Sequence, residues 1–290
     1  MKMTAFLQLI AVIILAPLVS GIITRVKNNL RMRKGQGVFQ PYYNLFKLSG
    51  KNEVISETAS WIFTITPFVV FSSSLAGLSI VLLSFSGLDL FGDCLALIFV
   101  LGLGRFFLAL AALDTAGSFG GMGSSREMFI SSLAEPAACL AFFAIALKAK
   151  STFIGQMGLA QGQLSTAGAC AALFLVALAE TSRIPIDNQE THLELTMIHE
   201  AMVLEYSGRR LAVIEFASYL KQMVWFSLIA YLLFPGASPA VFALAIAILA
   251  LVTAVIEVSV AKMRLFRAVD YFGFAFVLSL LAAAGAIFGV

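Results

Sequence analysis

The chain has 290 residues, of which 60% are hydrophobic and only 12% charged, with a formal net charge of +3 and a mean hydropathy of +0.97. A soluble domain carries roughly twice that charged fraction. A water-soluble enzyme and a nucleic-acid-binding module are excluded, and an integral membrane protein is what such a composition builds.

Several runs reach the roughly 20 apolar residues that a helix needs to cross a bilayer. They are rich in Leu, Ala, Phe and Ile without period-two alternation, which argues for helices over a barrel. Eight spans are predicted, at residues 5–24, 61–86, 93–113, 128–148, 166–182, 211–234, 239–261 and 268–289. The expected fold class is an all-α integral membrane bundle of eight transmembrane helices with cytoplasmic amphipathic segments, and residues 1–290 form a single polytopic domain. The first run holds one lysine, Lys2, and continues through Ile23 into a basic segment. It is expected to be a retained helix, not a cleaved signal.

Of the 19 basic residues, Arg105 and Lys221 fall inside spans, and Lys2, Lys148 and Lys150 fall on one side of the membrane. The other fourteen fall on the opposite side, so the positive-inside bias places both termini outside. Three longer connections then face inward: Arg25–Ser60, Asp114–Glu127 and Arg183–Arg210. The first joins a basic run containing Arg33 and Lys34 to an amphipathic stretch with Gln40, Tyr43, Phe46 and Lys47. That stretch suits either a membrane-surface helix or a docking element for a peripheral subunit. Within the second, Gly117–Gly123 is glycine-rich but lacks a P-loop lysine, and is expected to form a tight cytoplasmic loop.

Ionisable residues inside or at the edge of spans are Arg105, Glu135, Glu180, Glu215, Lys221 and Glu257. Such groups face a bundle interior or a water-filled cavity and mark ion paths. Glu135 precedes Pro136, which frees a helical carbonyl. After the short fifth span, a run of charge follows: Glu180, Arg183, Asp187, Glu190, His192, Glu194, His199, Glu200 and Glu205. Both histidines of the chain lie in it. Glu180 stands at its buried end, where a partly desolvated carboxylate suits proton transfer. Glu190 and Glu194 share a helical face at i, i+4. His199-Glu200 opens like a metalloprotease helix, but Val203 replaces the second histidine, so no metal is expected. Cys94, Cys139 and Cys170 lack CxxC spacing and are expected to be buried small hydrophobes, not cluster ligands.

The segment AETSRIPID, ending at Asp187, resembles the AExxRxPFD motif of the complex I subunit 1 family, and Glu205-Tyr206-Ser207-Gly208 resembles that family's EYSG sequence. Gly35, Gln40, Pro41 and Lys47 are similar to its first loop. Ile186 replaces the usual phenylalanine, Gln36 replaces a proline, and Tyr43-Asn44 lacks an aspartate before the lysine. The run from Thr191 to Gly208 resembles the branch found in formate hydrogenlyase and hydrogenase-4 type complexes.

The resemblance implies a membrane subunit without cofactors of its own. Nickel–iron and iron–sulfur centres are expected in partner subunits: the nickel–iron hydrogenase large and small subunits and a ferredoxin-like iron–sulfur subunit. Antiporter-like membrane subunits complete the expected set, in a bacterial or archaeal inner membrane. It further implies coupling to proton or sodium translocation through Glu180, Asp187, Glu190, Glu194, Glu205 and Glu135. Arg183, Arg105 and Lys221 are expected along that path. Arg33, Lys34, Gln40, Lys47, His192, His199 and Glu200 are expected on the docking face. The altered first loop weakens the case for a quinone site. A quinone-site subunit of a complex I-type dehydrogenase, a stand-alone ion transporter and a purely structural anchor are the competing readings.

Overall fold

The computed structural model describes residues 2–56, 58–85, 87, 92–158, 164–188 and 197–289, with side chains from residue 6 onward. The helices are α1 (Lys2–Leu30), α2 (Gln40–Ser49), α3 (Trp61–Phe85), α4 (Cys94–Asp114), α5 (Ser118–Ala149), α6 (Ile154–Met157), α7 (Leu164–Glu180), α8 (His199–Val203), α9 (Gly208–Leu233), α10 (Pro239–Ser259) and α11 (Ala268–Phe288). Local chemistry sets several ends. The Asp93 carboxylate accepts from Leu95 N at the start of α4, and Ser238 with Pro239 opens α10, as polar caps and a first-turn proline do.

All eight predicted spans are helices. Seven are long and apolar enough to cross a membrane. The fifth, α7, has 17 residues, about 25 Å of helix. It needs no full-length lipid-facing surface, because it is enclosed by α5, α9 and α11 and Leu173, Val176 and Ala177 are buried. Helix α3 lies between α4 and α9, while α1 lies against α10 and α9. Exposed apolar side chains such as Phe99, Phe274 and Leu281 form an outer surface suited to lipid tails.

Three sequence expectations need correction. Gly117–Gly123 is not a loop: Gly117 caps α5, which begins at Ser118. A Cβ on Gly120 would collide with the Ala112 carbonyl oxygen, and one on Gly123 would crowd Ala201 and the Ile198 carbonyl. These glycines let helices approach closely. The Asp114–Glu127 connection therefore shrinks to a turn around Thr115–Gly117. Cys139 is exposed, although Cys94 and Cys170 are buried as expected.

Candidate functional site

The last residue of α7 is Glu180, and its carboxylate is 4% exposed. Arg105 of α4 reaches one oxygen at 2.7 Å and Lys221 of α9 reaches the other at 2.8 Å. Arg105 also lies 3.4 Å from Glu135 of α5, so its guanidinium bridges two carboxylates. Its Nε has no acceptor among the described residues. Glu135 differs from the rest, being 47% exposed on the side of the bundle. In the order Lys221–Glu180–Arg105–Glu135 the two middle side chains are the most buried, and the array ends at the exposed Glu135.

A cavity of about 40 Å³ adjoins this chain of charges, with Glu127, Ser182 and His199 in its wall. That volume holds a few waters. Glu127 was missed by sequence reasoning, which placed it at the end of a loop. It lies eight residues before Glu135, and the early start of α5 turns it toward Arg105 and Glu180.

Beyond Glu180 the chain turns at Thr181 and Ser182 and enters a second charged cluster. Arg183 donates to Glu257 at 2.8 Å, to Gln222 Oε1 at 3.0 Å and to Ser20 Oγ at 3.2 Å. Lys27 of α1 binds the other Glu257 oxygen at 2.7 Å. Asp187, 2% exposed, pairs with Lys262 at 2.7 Å. Its other oxygen accepts from the amides of Ile198 and His199 at 3.2 and 3.0 Å, fixing the start of α8. A second cavity, about 80 Å³, lies among Lys27, Arg183, Asp187 and Glu257, and Ser182 borders both cavities. Lys27, Gln222 and Lys262 were absent from the expected site. The readable signal for the first was opposite charge at the inner ends of the first and seventh predicted spans.

The motif around Tyr206 serves as a tether. Tyr206 stacks on Phe63 with ring centroids 4.0 Å apart and donates to the Phe63 carbonyl. Ser207 exchanges hydrogen bonds with the backbone of Val54. Gly208 has φ +55°, and a Cβ there would meet the carbonyls of Lys51 and Asn52, so the position requires glycine. Glu205 is exposed and stands apart from both clusters, beside Gly117. Arg33, Lys34 and Lys47 are exposed, and Gln40 bonds Asn44 within α2. His199 and Glu200 form the first turn of α8. Glu190, His192 and Glu194 lie outside the described residues.

Fold and site together define a polytopic helical membrane subunit with an internal network of charge. The NADH dehydrogenase family matches residues 2–288, and the chain belongs to it. It is 34% identical over 262 residues to hydrogenase-4 component C of Escherichia coli strain K12, covering 88% of this chain and 82% of that one. It is 32% identical over 264 residues to formate hydrogenlyase subunit 4 of the same strain, covering 88% and 84%. Its fold matches a chain in the structure of the membrane-bound sulfane sulfur reductase, an archaeal respiratory membrane complex, with a TM-score of 0.85. That match is 17% identical and covers 98% of this chain and 99% of the other.

Proposed function

We propose that the chain anchors a membrane-bound nickel–iron hydrogenase of the formate hydrogenlyase type and couples its redox arm to proton or sodium movement. The Lys221–Glu180–Arg105–Glu135 array carries this reading. It includes Glu180, at the end of α7 where the charged segment that would meet a peripheral subunit begins, and it ends at a half-exposed carboxylate on the bundle's flank. A carboxylate facing bare lipid is costly, so an antiporter-like neighbour is the occupant that suits Glu135. A proton on Glu180 would release Arg105 and Lys221 to re-pair with Glu135 and Glu127, passing a change of charge along the array.

The hydrogenase branch is favoured over a quinone-site dehydrogenase by the two curated relatives, both subunits of hydrogenase-type complexes by name. The cavity beside Glu180 is also sized for water rather than for a quinone ring. In this reading the basic face is cytoplasmic and both termini lie outside. The His199–Glu200 turn and the Arg33–Lys47 segment meet the hydrogenase and ferredoxin-like subunits. Purifying the intact complex from native membranes through a tag on this chain is the test. A nickel–iron large subunit and a ferredoxin-like subunit are expected. Recovery of flavin-containing, NADH-oxidising subunits instead would overturn the assignment.

A further inference from the structure

The turn between α10 and α11 is a cationic feature that the coupling array leaves unused, with Lys262, Arg264 and Arg267 in six residues. Val260–Arg267, which closes in a 3-10 helix at Leu265–Arg267, joins two spans over eight residues, so it sits at the level of the helix ends. Lys262, Arg264 and Arg267 rim an open cavity of about 450 Å³ together with Ala261 and Met263. Lys262 is committed to Asp187 at 2.7 Å. The Arg264 and Arg267 side chains are exposed, and no carboxylate lies within ion-pair distance of either among the described residues. Asp270 is the nearest acid along the chain, one helical turn beyond Arg267 and itself exposed.

Phe266 stands between the two arginines and is 88% exposed, and Val260 and Val269 on either side are exposed as well. A soluble anion gains nothing from that apolar border. An amphiphile does: its phosphate meets the guanidiniums, which bind phosphate oxygens through paired N–H donors, while its acyl chains follow Phe266 onto the outer faces of α10 and α11. Basic pockets beside membrane helices recognise anionic lipid headgroups in this way. Positive-inside charge by itself needs no exposed aromatic residue between the cations.

We propose that this turn is a binding site for an anionic phospholipid, with Arg264 and Arg267 on the headgroup phosphate and Phe266 against the acyl chains. The site also touches the coupling cluster: Met263 N donates to the Pro185 carbonyl at 2.8 Å, and Lys262 holds Asp187. Bound lipid would therefore brace the Arg183–Asp187 segment. The test uses the intact purified complex in nanodiscs, with a photo-activatable phosphatidylglycerol or phosphatidylcholine as probe and crosslinks mapped by mass spectrometry. Phosphatidylglycerol is expected to label residues 261–267 preferentially. Arg264→Gln with Arg267→Gln should cut that labelling about 25-fold, each guanidinium contributing about fivefold, with labelling elsewhere unchanged. Each single variant should give the smaller loss if the double variant does not assemble. Equal labelling by the two lipids, or labelling insensitive to either arginine, would overturn the proposal. So would crosslinking of this turn to an acidic protein surface in place of lipid.

Discussion

His199 and Glu200 adjoin in sequence but respond to burial in opposite senses. Burial pushes the Glu200 carboxyl up from 4.5 to about 7, with the charges of Glu215 and Asp187 adding to the shift. Burial lowers the His199 imidazole from 6.5 to about 4, against the pull of Asp187 and with a small push from Lys221. Folded Glu200 thus holds its proton more tightly than the unfolded chain, so its contribution to stability falls as pH rises from 4.5 to 7. Folded His199 holds its proton less tightly, and its contribution rises between pH 4 and 6.5. Glu200→Gln should raise the melting temperature of the purified complex above pH 7 by roughly a few degrees and flatten its decline between pH 5 and 7. A variant profile parallel to the parent's would show that Glu200 does not titrate in this range.

Between elements, the Lys27–Glu257–Arg183 cluster ties α1 and α10 to the segment that follows α7. Removing one member of a buried ion cluster leaves the others uncompensated, at about 3–5 kcal/mol. Glu257→Ala should therefore lower the yield of folded protein sharply by size-exclusion chromatography, and adding Lys27→Met should recover part of it. Unchanged yield in Glu257→Ala would show that the cluster adds nothing to stability. Gly120→Leu should separate α4 from α5 and lower the yield as well, because its side chain would press on the Ala112 carbonyl. The spans themselves were legible because a 20-residue apolar run has one solution in a bilayer. The start of α5 was not. Glycines at Gly117, Gly120 and Gly123 read as a loop until the neighbours that require them are placed beside them. That misreading hid Glu127, whose position depends on the first turns of the helix.

At the scale of the whole molecule, two layers of charge cross the bundle near the basic face and share Ser182 as a border. The motif residues Glu180, Arg183 and Asp187 were legible as a site, but sequence distance concealed their division. Glu180 belongs with Arg105 and Lys221, whereas Arg183 and Asp187 belong with Glu257 and Lys262. Only tertiary contact joins α4 to α7 and α1 to α10. The family's tyrosine-serine-glycine ending likewise packs against residues 51–54 and Phe63, a role that spacing cannot express. The first layer is the one that reaches the flank at Glu135, and the coupling account depends on it. Glu180→Gln in the complex reconstituted into liposomes is its most direct test, with subunit composition, hydrogenase turnover and ion movement measured on one preparation. The account predicts an assembled complex whose hydrogenase still turns over and whose proton or sodium translocation falls at least about tenfold, the equivalent of 1.4 kcal/mol. Assembly and translocation both at the parent level would contradict it.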